Sequence, residues 1–148
     1  DEAMEPTDQQ ILARLSREGR MSFTELGRAV GLSTSATQQR VRRLEQRGII
    51  TGYHADVDPA AVGRALSAFI EIQPLAAEHQ DHAPDYLSSL PQITSCYSVA
   101  GDASFLCLAQ VGSAEELDEL LARIRRELAV NTVTTIVLRT AFRHRPLV

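Results

Sequence analysis

The chain has 148 residues, 44% of them apolar, and carries a formal net charge of −4 at neutral pH. It contains no run of about 18 apolar residues and no charged leader followed by an apolar segment. We therefore expect neither a membrane-spanning helix nor a secretory signal peptide, and we expect a cytoplasmic protein with no membrane partner.

The charge is unevenly distributed along the chain. The stretch from Arg20 to Ile50 contains six arginines and only two acidic residues, Glu25 and Glu45, so its net charge is +4. The rest of the chain therefore carries a net charge of −8. A local basic region on an acidic body is the charge distribution expected of a nucleic-acid-binding surface.

The first predicted helix begins with Thr7 or Asp8 as its N-cap and ends near Gly19, with Ile11 and Leu15 at helical spacing. It follows a short tail, residues 1–6. These residues alone predict an amphipathic helix packed on whatever follows it.

Two more helices follow, separated by a tight turn. Ser22 and Glu25 have the spacing of a capping box, Gly31 suits a left-handed turn, and Ser33 is placed to cap a third helix that ends at Gly48. The pattern predicts a helix-turn-helix domain over residues 7–52.

The third predicted helix turns Ala36, Val41 and Leu44 inward, which leaves a polar face outward. A solvated face is the plain alternative, but the Gly31 turn and the arginines favour contact with double-stranded DNA. We expect base contacts from Ser35, Gln38 and Arg42, and phosphate contacts or helix bracing from Arg40, Arg43 and Arg47. Arg40 lies near the buried flank, where pairing with an internal carboxylate is the alternative.

The full predicted DNA-binding set is Ser33, Ser35, Thr37, Gln38, Gln39, Arg40, Arg42, Arg43 and Arg47.

Residues 48–57 resemble a strand pair, or wing, and a brief helical turn from Asp58 to Gly63 completes a linker over residues 53–65.

Beyond the linker, the hydrophobic periodicity predicts strands over 66–73, 93–100, 105–111 and 133–140. It predicts helices over 81–90 and from Ser113 onward, and Ser113 and Glu116 have the spacing of a second capping box. The order βαββαβ is that of a ferredoxin-like domain, here residues 66–148. The fold class is therefore α+β: a winged helix-turn-helix followed by a ferredoxin-like domain. One face of such a sheet lacks helices, and apolar residues on both faces predict a homodimer or a higher oligomer.

Neither a metal site nor an enzyme active site is indicated. Cys96 and Cys107 lie in predicted apolar strands, so we expect both to be free thiols in the core. His79 and His82 lie close to Asp81, but a solvated linker is a better interpretation of this segment than a metal site. A ferredoxin-like scaffold hosts many enzymes, but the sequence shows no carboxylate pair with a nearby histidine, phosphate loop or activated nucleophile. We expect no cofactor.

The stretch Glu25 to Ile50 resembles the helix-turn-helix of the Lrp/AsnC family of transcriptional regulators, through Gly31, Leu32-Ser33, Arg40-Val41, Arg43-Leu44-Glu45 and Gly48-Ile49-Ile50. The second half resembles that family's ligand-sensing domain, with Ser98-Val99-Ala100-Gly101 and Phe105 at its effector turn. The resemblance implies a sequence-specific regulator that senses an amino acid or related metabolite between subunits and assembles as dimers or octamers. An architectural DNA-binding protein with weak sequence preference is the alternative.

We predict an effector site made by Val99, Ala100, Gly101, Asp102 and Ser104, lined by Thr134 and Thr135. A glycine beside polar residues lets backbone amides approach a carboxylate, although a plain hairpin turn gives the same pattern. Many family members carry an aspartate where this chain has Ser104, so recognition of a typical amino acid is expected to be altered.

Overall fold

The computed structural model describes residues 3–75 and 82–148, which form two compact units. The first comprises the chain up to Asp56 together with Phe142–Val148, and the second comprises Val57–Ala141. The last seven residues thus group with the first unit, whereas the sequence predicted one domain over 66–148. No helix in the described ranges is long and apolar enough to cross a membrane.

The first unit is a three-helix domain with α1 over Pro6–Arg17, α2 over Phe23–Val30 and α3 over Thr34–Gln46. Ile11, Leu26, Val41 and Leu44 form its buried core. The predicted helix-turn-helix is confirmed.

Helix α1 starts earlier than predicted. Its N-cap is Glu5, which makes no side-chain cap, and Pro6 opens the first turn, so Thr7 and Asp8 lie inside the helix. Proline favours this position because its ring fixes φ near the helical value and its missing N–H is not needed there.

The predicted caps of α2 and α3 form. Ser22 Oγ accepts a hydrogen bond from the Glu25 amide at 3.1 Å, and Glu25 Oε2 accepts one from the Ser22 amide at 3.0 Å. Gly31 ends α2 with φ of 77°, and Ser33 Oγ accepts from the Ala36 amide at 3.2 Å. These local hydrogen bonds fix where both helices start.

The predicted wing does not form, since no residue of 47–57 belongs to a strand in the part of the chain that is described. The amides of Ile49 and Ile50 donate instead to the Leu44 carbonyl, at 2.9 and 3.2 Å. Gly48, with φ of 71°, allows this reversal. Residues that were expected to pair as strands therefore cap the end of α3.

The second unit begins with a short 3-10 turn, Ala60–Val62, and then has the predicted order βαββαβ. Its elements are β1 (Leu66–Pro74), α4 (Ala83–Ser88), β2 (Ile93–Ser98), β3 (Phe105–Val111), α5 (Ala114–Leu128) and β4 (Val130–Ile136). The sheet is antiparallel in the order β2-β3-β1-β4, which confirms the ferredoxin-like arrangement.

The last strand starts and ends three to four residues before its predicted bounds of 133–140. Helix α5 ends at Leu128, and Ala129, with φ of 49°, turns the chain straight into β4. Strand β2 ends at Ser98 rather than at residue 100, and α4 ends at Ser88. His79 and Asp81 lie outside the described residues.

The cap of α5 differs in one hydrogen bond from the predicted box. Ser113 Oγ accepts from the Glu116 amide at 3.1 Å, as expected, but Glu116 Oε2 accepts from the Gly112 amide at 2.7 Å. The carboxylate therefore bonds one residue before the N-cap.

The core of the second unit lies between the sheet and its two helices. Alternate residues of β1 and β3 are buried there, with the inner face of α5: Ala68, Ile70, Ile72, Phe105, Cys107, Ala109, Val111, Leu117, Leu120, Ile124 and Leu128. The alternation leaves the opposite face of the sheet without a helix.

Candidate nucleic-acid interface and effector turn

The turn between α2 and α3 depends on Gly27, which the sequence reading missed. A Cβ atom at Gly27 would lie 2.6 Å from the Leu32 carbonyl oxygen and 2.8 Å from Thr37 Oγ1. The Leu32 amide also donates to the Gly27 carbonyl at 2.9 Å. Only glycine permits this close approach of α2 to the turn and to α3. In the sequence, the sign of this contact is a glycine in the interior of an eight-residue helix, where glycine is otherwise unfavourable.

Thr37 does not belong to the DNA-binding surface. Its side chain is fully buried against α2, and its hydroxyl donates to the Ser33 carbonyl at 2.8 Å. The prediction for Thr37 is wrong because its position on α3 faces Gly27 and not the solvent.

The outward face of α3 carries small polar groups and one arginine. Ser35, Gln39 and Arg42 are exposed, and Gln38 is half-buried at the edge of this face. Ser33 is also exposed, with its hydroxyl 3.4 Å from that of Ser35. Hydroxyls, amides and a guanidinium on one helix face match the donors and acceptors of base edges in the major groove.

Arg40 ties α3 to the start of α1. Its guanidinium donates to Glu5 Oε2 at 2.8 Å and to Asp8 Oδ1 at 3.1 Å, and the Asp8 side chain is only 9% exposed. The hydrogen bond to Glu5, followed by that to Asp8, raises the pKa of Arg40, and the same bond lowers the pKa of Glu5. Arg40 therefore pairs with an internal carboxylate, the alternative stated for it, and thereby braces α3 against α1.

Arg43 and Arg47 lie on the flank of α3 that faces α1. Both are exposed and line a small cavity with Met4, Glu5 and Asp8. The charge of Arg43 adds to the lowering of the Glu5 pKa, after the contribution of Arg40. Both guanidinium groups are therefore accessible to solvent next to the polar face of α3.

The predicted effector turn connects β2 to β3. The Val99 amide donates to the Ser104 carbonyl, and the Ser104 amide donates to the Ile72 carbonyl, both at 3.0 Å. Within residues 3–75 and 82–148, the amides of 100–103 have no hydrogen-bond acceptor. Gly101, with φ of 156°, and Asp102 are exposed. The turn thus presents several unpaired N–H donors beside one carboxylate.

Thr134 and Thr135 are not brought to this turn within the chain. They pair with Ile70 and Phe69 of β1, whereas the turn bonds to Ile72, whose partner in β4 is Thr132. Adjacent strand residues also point to opposite faces, so the two threonines do not share one surface. Within one chain these two threonines therefore do not line the turn, and a lining contributed across a subunit junction stays a prediction.

The uncovered sheet face is apolar at its centre. Phe69 pairs with Leu108 of β3 and is 42% exposed, while Tyr97 pairs with Leu106 and is 61% exposed. Val133 on β4 is 45% exposed on the same face. These apolar side chains come from all four strands, with Glu71 lying between Val133 and Leu106, and they form a surface suited to another protein surface.

Residues 4–45 match the AsnC-type helix-turn-helix domain, and residues 67–147 match the Lrp/AsnC ligand binding domain. The chain is 45% identical over 145 residues to the HTH-type transcriptional regulator LrpA of Mycobacterium tuberculosis, covering 98% of this chain and 97% of the relative. It is similar to a solved feast or famine regulatory protein of M. tuberculosis complexed with L-methionine, with a TM-score of 0.93, 45% identity and 97% of each chain covered. It is also similar to the structure of Bacillus subtilis LrpC, with a TM-score of 0.87, 28% identity and 95% and 98% of the two chains covered.

Proposed function

The chain belongs to the Lrp/AsnC family of transcriptional regulators, and from that premise we propose that it binds specific DNA sites through α3 and senses an amino acid at the 99–104 turn. It is a DNA-binding regulator and not an enzyme. Such a protein acts in the cytoplasm, beside the chromosome. The observation that carries the DNA-binding proposal is the polar, exposed face of α3 above a buried helix-turn-helix core.

We assign base reading to Ser35, Gln38, Gln39 and Arg42, and phosphate contact to the flanking Arg43 and Arg47, with Ser33 at the helix start. Amides and guanidinium groups form bidentate hydrogen bonds with adenine and guanine edges, which carry sequence information. Flanking arginines contact the backbone and bind any sequence.

Substitutions at Gln38 and Arg43 separate these two roles. Gln38→Ala is expected to weaken the best site by about 1 to 3 kcal/mol and random DNA much less. Arg43→Ala is expected to weaken both and to lower the salt dependence of binding. Titrations of fluorescent DNA at several salt concentrations measure both quantities. Equal losses on both DNAs for Gln38→Ala would remove it from the base-reading set.

The effector proposal starts from the relative of 45% identity that is complexed with L-methionine. We propose that an α-amino acid binds with its carboxylate on the free amides of residues 100–103 and its ammonium at the Asp102 carboxylate. Oriented amides and a nearby carboxylate complement the two charges of such a ligand. Val99 and Ser104 frame the turn, and the neutral Ser104 hydroxyl is expected to shift side-chain preference.

Calorimetry with L-methionine and the other amino acids tests the turn directly. We expect binding to the wild-type chain, and a large loss with Asp102→Ala and with Gly101→Leu. Asp118, exposed on α5, provides the matched control Asp118→Ala, which should bind like the wild type. A ligand that binds all variants equally well must occupy a different site.

We further propose that the chain forms homodimers, and higher oligomers built from them, through the uncovered sheet face. A dimer would carry two DNA-binding heads and engage half-sites about one helical turn of DNA apart, or a multiple of it. Sedimentation of the wild type at micromolar concentration should show no monomer. A folded wild-type monomer under those conditions would contradict this assignment.

A further inference from the structure

Cys96 and Cys107 lie directly opposite each other on strands β2 and β3. Residues paired across strands point to the same face, and Cys107 faces the helices, so both thiols lie on the helix-covered side. Cys107 is fully buried, whereas Cys96, on the edge strand, is exposed. An accessible thiol therefore stands next to an inaccessible one.

The backbone register places this pair in the closer type of cross-strand position. The Val99 amide donates to the Ser104 carbonyl, which puts these two residues at a hydrogen-bonded position of the ladder, although the Ser104 amide donates to Ile72 instead of completing the pair. Hydrogen-bonded and non-bonded pairs alternate along antiparallel strands, which makes Cys96 and Cys107, three pairs further on, a non-hydrogen-bonded pair. Such pairs have Cα atoms about 4.5 Å apart. That separation falls at the short end of the range that a disulfide spans.

We propose that Cys96 and Cys107 form a reversible intrachain disulfide across β2 and β3 when the reduced protein meets a two-electron oxidant such as hydrogen peroxide. The pair requires no movement of the strands past each other, because their Cα atoms already lie within disulfide range. It lies on the face opposite the one assigned to self-association, so the exposed thiol stays accessible in a dimer.

The oxidation proceeds in two balanced steps. Peroxide transfers one oxygen to the Cys96 thiol, giving Cys96 sulfenic acid and one water. The Cys107 sulfur then attacks the Cys96 sulfur, the S–O bond breaks, and the departing hydroxide takes the Cys107 proton as a second water. Two thiols lose two electrons in all, and one peroxide gains them.

The two cysteines take different parts because their surroundings differ. Burial, and after it the neighbouring Cys96 thiol, raises the pKa of Cys107 to about 12, so Cys107 stays protonated at neutral pH. Thiolates react with peroxide far faster than thiols, and peroxide reaches only the exposed sulfur, so Cys96 is oxidised first. Cys107 then resolves the sulfenic acid because it lies next to Cys96, and it gives up its proton to the departing hydroxide as the S–S bond forms.

The link would close the hairpin that carries the 99–104 turn. Exposed disulfides with short Cα separation are the reducible ones, which suits a thiol pair in a compartment rich in glutathione. Oxidation would thus reversibly restrict the same turn that we assign to the effector. The thiol chemistry itself does not depend on that assignment.

Peptide mapping of the full chain tests the proposal. The reduced protein is treated with hydrogen peroxide, the remaining thiols are alkylated, and the chain is digested without reductant. Trypsin leaves both cysteines in one peptide, since no lysine or arginine lies between Arg64 and Arg123. Cleavage before Asp102 is therefore needed to separate them. We expect monomeric chains lighter by two hydrogen atoms, two peptides joined through Cys96 and Cys107, and release by glutathione.

Two variants keep the result interpretable. Cys96→Ser leaves the core intact and should give no intrachain link, while Cys107→Ala should stop at oxidised Cys96. If Cys107→Ala fails to fold, the proposal is tested by comparing the wild type, which should form the intrachain link, with Cys96→Ser, which should not. Wild-type chains joined only through Cys96 to another chain, or Cys96 oxidised to sulfinic acid beside a free Cys107 thiol, would overturn the proposal.

Discussion

We predict that the ion pair between Arg40 and Asp8 stabilises the three-helix domain of the first unit, here called the DNA-binding head. The substitution Arg40→Gln removes the cation that pairs with the Asp8 carboxylate. The Asp8 side chain is only 9% exposed, so its charge would then be nearly buried without a partner. Removing one member of a buried pair costs about 3 to 5 kcal/mol. Arg40 is 27% exposed, and Asp8 lies in the first turn of α1, where the helix dipole favours an anion. Both effects reduce the expected cost to about 2 to 3 kcal/mol.

A double-mutant cycle with Asp8→Asn isolates the pair. The double variant should be more stable than the sum of the single losses predicts, by about 1 to 2 kcal/mol, because neither single variant retains the interaction. Amide hydrogen exchange in α1 and α3 of the full chain gives the local opening free energies. Strictly additive losses would refute the reasoning.

Arg42→Gln is the matched control. Arg42 is exposed on the same helix and makes no ion pair within the described residues, so its replacement should change stability by less than about 0.5 kcal/mol. It should nevertheless weaken DNA binding. A similar stability loss for Arg42→Gln would show that the effect of Arg40→Gln is not specific to its carboxylate partners.

Three further predictions follow from particular contacts. Gly27→Ala should separate α2 from α3 and destabilise the head by about 1 to 3 kcal/mol, measured by thermal unfolding, and unchanged stability would contradict the close approach at Thr37. Phe69→Glu should yield folded monomers in sedimentation, since it buries a charge in the proposed interface, and a persistent dimer would place the interface elsewhere. Iodoacetamide should alkylate Cys96 in the native, reduced protein, and Cys107 only when the protein unfolds, because Cys107 is buried and burial raises the pKa of its thiol. Rapid modification of Cys107 at neutral pH would contradict its burial.

The local signals at the turn between α2 and α3 are predicted correctly, whereas the N-cap of α1 is not, although Pro6 marks the first turn of that helix. The caps at Ser22 and Ser33 and the turn at Gly31 depend on hydrogen bonds and dihedral angles within a few residues, and all three are as predicted. The order of strands and helices followed from hydrophobic periodicity. The sequence does not decide between the roles predicted for Arg40, because its carboxylate partners lie more than 30 residues away along the chain.

The wrong predictions required contacts or dihedral angles that a single sequence does not display. Thr37 has a polar side chain on a mostly polar helix, and only its packing on Gly27 shows that it is buried. Strand β4 was placed too late because the β-branched run continues to Val137, while the left-handed turn at Ala129 has no sequence signature.

The central claim, that this chain recognises particular DNA sequences and that an amino acid modulates the recognition, is tested most directly by selecting DNA from a random pool with and without L-methionine. We predict enrichment of a two-fold symmetric motif whose half-sites lie about one helical turn or a multiple of it apart, with a site preference or affinity that changes when the amino acid is added. Recovery of unenriched DNA, equally with and without amino acids, would contradict the account and indicate an architectural DNA-binding protein.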